Sequence, residues 1–175
     1  MYFSNFPIIP YDSVGSYEFK DVTNILKRVA IRSKVKTNTM LFDTYNVREG
    51  ETPESIADKL YDDSQLHWVF MLVNDITDRY HDWPLSGAQF NQFVDEKYSN
   101  PDGIHHYEIS QDSGDTSIVI DIGTDNTDYP TATPITNREY EESEQDRKRK
   151  IRLLDPRYLD NFVEEFTTLI KQEIF

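Results

Sequence analysis

Apolar residues recur along this chain in two periods, and the switches between them mark out its elements. The start, "MYFSNFPIIPYD", gathers Tyr2, Phe3, Phe6, Ile8, Ile9 and Tyr11 around Pro7 and Pro10. Two prolines so close exclude a helix and push the residues before them towards extended backbone. The pattern predicts an extended apolar arm, either an edge strand of its own domain or a segment laid across a partner. Val22, Ile25, Leu26 and Val29 then fall at i, i+3, i+4 and i+7, which predicts a short amphipathic helix over 21–30 capped by Asp21. Residues 40–47, "MLFDTYNV", alternate, with Leu41, Asp43, Tyr45 and Val47 on one side of a half-buried strand.

Three helices follow. Gly50 frees the backbone for a turn, Thr52 is a good N-cap, and Pro53 sits at the first helical position, where its missing N–H costs nothing. Ile56, Ala57 and Leu60 supply the buried stripe. A second helix starts at Ser64 and is apolar nearly all round, with Leu66, Val69, Phe70 and Val73 on one face and Trp68, Met71 and Leu72 on the rest. Such a helix belongs in a core. The third, "LSGAQFNQFVDEKY", opens with Ser86 and Gln89 in a capping-box spacing and carries Phe90, Phe93 and Val94 on its stripe. "IHHYEIS" (104–110) and "TSIVIDIG" (116–123) predict a hairpin joined by the turn "QDSGD", and "GTDNTDYPTATP" reads as a polar loop. "NREYEESEQDRKRK" reads as an exposed charged helix and "IRLL" as a short strand. The last helix aligns Leu159, Phe162, Val163, Phe166, Leu169 and Ile170 on one stripe. No internal repeat stands out.

Charge changes the picture more than composition does. The net charge of −14 divides into +3 over residues 1–36, −19 over 37–146 and +2 over 147–175. An acidic centre is a poor nucleic-acid surface. The basic stretches "KRVAIRSKVK" (27–36) and "RKRKIR" (147–152) suit either a solvated face, a clamp onto the acidic middle, or an acidic partner. Aromatics reach 13% against 37% hydrophobic residues, which fits a modest core with a surface that binds protein, or simply a Tyr-rich core. There is no cysteine, hence no disulfide framework and no thiolate metal site. The start has no secretory signal pattern, and the longest apolar run, residues 68–73, is far below the ~18 needed to span a bilayer. The expectation is a soluble protein with no nucleic-acid or membrane partner.

Catalytic constellations are wanting. His105 and His106 are neighbours on a strand, so their side chains are expected on opposite faces, unable to share a metal. His67 and His81 stand apart, and no zinc-protease, P-loop, dinucleotide or nucleophile-elbow motif occurs. With 32 acidic residues, any carboxylate pair chosen from sequence is arbitrary. We therefore expect no enzyme, no cofactor and no metal site.

Residues 45–76, "YNVREGETPESIADKLYDDSQLHWVFMLVNDI", resemble a LysM module. The strand "YNV", the turn "EGET", the helix "ESIADKLY" and Asn74 carry the likeness. In that module a short closing strand normally follows the second helix, and here "DRYHDWPLSGAQF" leads into another helix instead. Glycan-groove equivalents implied by the resemblance are Gly50, Glu51, Thr52 and Asn74, and the altered closing segment argues against glycan binding. The whole chain resembles the baseplate wedge proteins with a LysM-like domain of contractile-tailed, T-even-type phages. Three blocks carry that resemblance: "MYFSNFPIIPYD", "LHWVFMLVNDITDRYHDWPLS" and "PITNREYEESEQDRKRKIRLLDPRYLDNFVEEF". It implies a non-enzymatic structural subunit of the virion tail baseplate, assembled in the host cytoplasm into a multi-protein hetero-complex. Such a subunit docks onto other wedge proteins and helps join wedges around the tail hub. The alternative function is a peptidoglycan-binding LysM module.

The expected fold is α+β. A small LysM-like βαα domain is elaborated with an extra helix, a β-hairpin, an extended N-terminal arm and a C-terminal amphipathic helix. Boundaries fall at 1–38 for the arm and short helix, 39–100 for the LysM-like domain, and 101–175 for the hairpin, charged segment and last helix. Candidate protein contacts are Tyr2, Phe3 and Phe6 in the arm and Arg147, Lys148, Arg149, Lys150 and Arg152 in the basic cluster. An arm that serves a partner should be removable, so deleting residues 2–11 is expected to leave a folded monomer.

Overall fold

The computed structural model describes residues 2–32, 35, 38–111 and 118–172. Within them lie strands β1 (Ile8–Tyr11), β2 (Lys20–Thr23) and β3 (Phe42–Asn46), then helices α1 (Pro53–Tyr61), α2 (His67–Val73), α3 (Arg79–Asp82) and α4 (Gly87–Lys97). Strands β4 (Ile104–Ser110), β5 (Val119–Asp121) and β6 (Thr133–Thr136) come next, followed by α5 (Asn137–Arg149), β7 (Lys150–Leu154) and α6 (Leu159–Lys171). The fold is mixed α+β. It divides into two compact units: one of Met1–Val47, Glu51–Asp82 and Lys150–Phe175, the other of Arg48–Gly50 and Trp83–Arg149. The sequence boundary at 100/101 does not coincide with this division. Helix α4 belongs to the second unit and α6 to the first, because burial follows β3 and β7, which pair across a hundred residues of chain.

In the first unit β3 and β7 pair antiparallel, from Phe42 opposite Leu154 to Asn46 opposite Lys150. Elements β3, α1, α2 and β7 therefore run strand, helix, helix, strand. The strand that pairs with β3 is thus the distant "IRLL" segment. Thr52 caps α1 in a reciprocal box with Ser55, Pro53 occupies the first turn, and Gly50 takes a φ of +78°. Phe6, Phe42, Trp68, Val69, Val73, Leu154, Phe166 and Ile170 form the core. The Trp68 and Phe166 rings stand 4.4 Å apart, and Tyr2 closes over both at 5.4 and 5.8 Å. On the face the alternation of residues 40–47 predicts, Val47 is buried and Leu41 and Tyr45 are half-buried, while Phe42 is buried on the opposite face. The Tyr61 hydroxyl donates to the Leu154 carbonyl at 2.9 Å, and burial pushes its phenol well above the usual value.

Two expectations for the start of the chain are overturned. Residues 21–30 form no helix. Lys20–Thr23 is a strand paired antiparallel with Ile8–Tyr11, so Asp21 caps nothing. The helical spacing of Val22, Ile25 and Leu26 is coincidental, and the β-branched Val22 and Thr23 meet a pairing partner twelve or more residues upstream. Asn24 N–H donates to Pro7 O at 2.8 Å, which makes Ile9–Val22 and Tyr11–Lys20 the hydrogen-bonded pairs and leaves Pro10 at a non-bonded position. The missing N–H of Pro10 thus costs the hairpin nothing. Second, residues 2–5 are not extended but form one 3₁₀ turn, and Phe6 is only 7% exposed. Deleting residues 2–11 would remove core, so the expectation of an intact monomer does not survive.

In the second unit β4 pairs antiparallel with β5 on one side and β6 on the other. The expected hairpin of β4 and β5 is present in its strands, while residues 112–117, which take in most of its turn and the start of the second expected strand, lie outside the described residues. Strand β6 begins inside the segment that reads as a loop, because "TPIT" shows no alternation of its own and is held by its neighbour. Helix α4 has the Ser86–Gln89 capping box. Helix α5 is not uniformly exposed, since Glu141 and Gln145 are buried. The Glu141 carboxylate accepts from Lys97 Nζ at 2.6 Å and from the Tyr98 hydroxyl at 2.7 Å, and Gln145 Oε1 accepts from the Leu85 N–H at 2.8 Å. The hydrogen bond to Glu141 raises the Lys97 pKa, and burial followed by that same carboxylate raises Tyr98.

Candidate protein-docking surface

Among the described residues no group of three or more His, Cys, Asp or Glu side chains is gathered to hold a metal, and no helix is long and apolar enough to cross a membrane. The histidine pair differs from expectation. A register irregularity between Ile104 and His106 turns both rings the same way, so that the two Nδ1 atoms lie 2.9 Å apart. His105 stacks on Tyr140 at 3.9 Å, and His106 Nε2 meets Glu108 at 3.2 Å. His67 Nδ1 contacts the Ser64 carbonyl, and His81 pairs with Asp78.

The unusual surface is at the start of the first unit. Eighteen large hydrophobic residues are exposed among those described, and nine of them fall between Phe3 and Leu26. Every residue of β2 is exposed. Soluble monomers rarely keep such a concentration of apolar surface open to water. The hairpin tip is also ordered by one side chain. Asp12 Oδ1 accepts from the N–H groups of Val14, Gly15 and Ser16 at 3.1, 2.7 and 3.3 Å, and Oδ2 accepts from Tyr17 at 2.7 Å. Desolvation works to raise the Asp12 pKa, but these four donors outweigh it and bring the carboxyl below its ordinary value. The clasp holds Tyr17 at a φ of 63°, a region that tyrosine seldom occupies, and leaves Val14 and Tyr17 83% and 88% exposed.

Beside the hairpin lies a groove of about 880 Å³, bounded by Tyr2 and Phe3, by the chain after β2, and by α2 with the turn beyond it. Trp68, Met71 and Leu72 line it from α2, and Ile25, Lys27 and Arg28 from the segment after β2. It is an apolar trough with a basic side. Lys27 Nζ also donates to the Gln172 carbonyl. Of the first basic stretch, residues 33, 34 and 36 lie outside the described residues.

The model of the phage family base plate wedge protein 53 matches residues 1–150. The chain belongs to this family. Its place is therefore the virion tail baseplate, in a family of structural proteins. The baseplate wedge protein gp53 of Enterobacteria phage T4 is 28% identical over 99 residues, which cover 57% of this chain and 45% of that relative. The match thus spans less than half of the T4 protein's length.

The contact candidates in this member of the family separate clearly. Phe3 is exposed at the groove, with its ring 5.3 Å from Tyr2 and 5.8 Å from Phe6, whereas Phe6 and Tyr2 are engaged in packing. The basic cluster is divided between the units. Arg147, Lys148 and Arg149 close α5, and Lys150 and Arg152 lie on β7. Arg147 pairs with Glu144 and Arg149 with Asp146 at 3.8 Å, each three residues back. Hydrogen bonding between Arg147 and Glu144 lowers the carboxyl's pKa and raises the guanidinium's.

The glycan-groove equivalents serve the fold. Thr52 caps α1, and Glu51 accepts from the Tyr45 hydroxyl at 2.7 Å and from Lys59 at 3.2 Å. Asn74 donates to Phe70 O at 2.7 Å and to Arg152 O at 2.8 Å, and its Oδ1 accepts from Arg152 N–H at 2.8 Å. It ties the end of α2 to β7. The Asp12 clasp was missed by sequence reading, although the run Asp12-Ser13-Val14-Gly15-Ser16 is a usable signal for a side-chain-capped turn.

Proposed function

We propose that this chain is a non-catalytic structural subunit that docks onto other baseplate wedge proteins through its N-terminal hairpin and helps join wedges around the tail hub. The β-α-α-β body is a LysM-like scaffold reused to carry that hairpin. The carrying observation is the concentration of exposed apolar side chains between Ile8 and Val22 on a hairpin whose tip is fixed by Asp12. A preformed apolar projection loses little conformational freedom on binding, which favours affinity. Membership of the family supplies the assembly in which partners would be met. Peptidoglycan binding gains no support, because Thr52, Glu51 and Asn74 already have their hydrogen bonds within the chain.

The test is gradient sedimentation of the purified protein with baseplate wedges assembled without it. Stoichiometric co-sedimentation followed by wedges joining into rings is the expected result. A protein that stays free of wedges but pellets with peptidoglycan sacculi would reverse the reading.

A further inference from the structure

The groove beside the hairpin has a chemical character that specifies its occupant. Its lining is apolar along Phe3, Trp68, Met71 and Leu72, and its charge is mainly basic, from Lys27 and Arg28. His67 and Asp75 are the other titratable or charged side chains along α2 and the turn beyond it. The first 36 residues carry +3 in a chain whose total is −14, so this basic side stands out against the protein's own field. Arg28 is exposed, and a guanidinium grips a carboxylate with two parallel hydrogen bonds. A volume of about 880 Å³ is at the upper end of ordinary ligand pockets and suits a few side chains of a peptide.

We propose that this groove binds an acidic segment of a neighbouring baseplate protein. An aliphatic or aromatic side chain of that segment rests between Phe3 and the face of Met71 and Leu72, and a flanking carboxylate meets Arg28, with Lys27 adding its charge. The inference rests on the docking role above and deepens it by naming the class of partner segment. It is separate from the hairpin tip, since Val14 and Tyr17 take no part in the groove.

Two capped hexapeptides serve as probes: one alternating Glu with Phe and Leu, the other with Lys in place of each Glu. Binding is followed through the methionine methyl resonances, with Met71 in the groove as reporter and the exposed Met40 as control. The acidic peptide should shift Met71 and spare Met40, and bind at least about tenfold more tightly than the basic one, the scale of one charge-assisted contact. Arg28→Glu should abolish that preference, and Arg28→Lys should restore part of it. Equal response to both peptides, no shift at millimolar acidic peptide, or an Arg28→Glu protein with unchanged preference would overturn the proposal. So would a Met71 shift that depends on protein concentration alone, which would make a second copy of the chain the occupant. Wedge co-sedimentation keeps the two readings apart. If the wild type joins wedges and Arg28→Glu joins them equally well, the groove proposal fails alone. If the wild type does not join, the docking role fails.

Discussion

The two ends of the first unit both read as apolar segments, yet the fold treats them oppositely. Helix α6 presents one stripe, and most of it is consumed: Phe166 and Ile170 are buried against Trp68 and its neighbours, Leu159, Phe162 and Val163 pack beside them, and only its Leu169 stays exposed. The N-terminal hairpin presents Ile8, Tyr11, Val14, Tyr17 and Phe19 to water, and its order comes from Asp12 and backbone pairing. A helix buries one side against a body with little else to satisfy, because its backbone bonds are internal. A two-stranded hairpin is marginal on its own and keeps both faces open. Apolar sequence at the end of a unit therefore does not by itself predict burial. What decides it is whether the chain itself supplies the opposing surface.

That contrast can be broken first where packing is densest. Phe166→Ala should destabilise the first unit by about 3–5 kcal/mol, read by urea unfolding, because a buried aromatic leaves a cavity among Tyr2, Trp68 and Ile170. Asn74→Ala should cost roughly 1–3 kcal/mol in the same assay, since it strips the partners from Arg152 N–H and C=O. Tyr61→Phe removes one hydrogen bond to Leu154 and should cost about 1 kcal/mol. Val14→Ser with Tyr17→Ser should change stability by no more than about 0.5 kcal/mol, as surface substitutions do, while wedge binding is lost. A double variant that unfolds as readily as Phe166→Ala would erase the distinction between the two ends.

The smallest effect is on the hairpin tip and depends on pH. A carboxyl whose folded pKa lies below its unfolded one stabilises fully above the unfolded value and loses that contribution as pH falls through the folded one. Asp12 is such a group, with its pKa held below the ordinary 3.8. Amide exchange protection at Gly15 and Tyr17 should hold constant down to the usual carboxylate range and fall only beneath it. Asp12→Asn keeps the Oδ1 acceptor but replaces Oδ2, so at neutral pH it should expose Tyr17 N–H selectively.

Local chemistry was legible wherever a few neighbouring residues decide the outcome. Thr52 with Pro53, the Ser86–Gln89 box, the positive φ of Gly50 and the apolar face of α2 all follow from short spacings. Long-range pairing was not legible. Strand "IRLL" was visible as a strand, but its partner β3 lies more than a hundred residues back, so the closure of the β-α-α-β body was missed. Lys20–Thr23 and Thr133–Thr136 became strands only because Ile8–Tyr11 and Ile104–Glu108 offered an edge. Glu141 and Gln145 sit in a run that reads as surface, since burial of a carboxylate depends on Lys97 and Tyr98 arriving from another helix. At the start of the chain the apolar pattern was legible, but it could not separate Phe6, which is buried in the core, from Phe3, Val14 and Tyr17, which are exposed.

The central claim is that the hairpin serves a partner and not the fold. The measurement that tests it most directly is sedimentation of the Val14→Ser, Tyr17→Ser double variant and the wild type, in parallel, with wedges assembled without the protein. The account predicts that the wild type travels with the wedges while the double variant, with an unchanged melting temperature, stays at the top of the gradient. A folded double variant that joins the wedges as well as the wild type would contradict it.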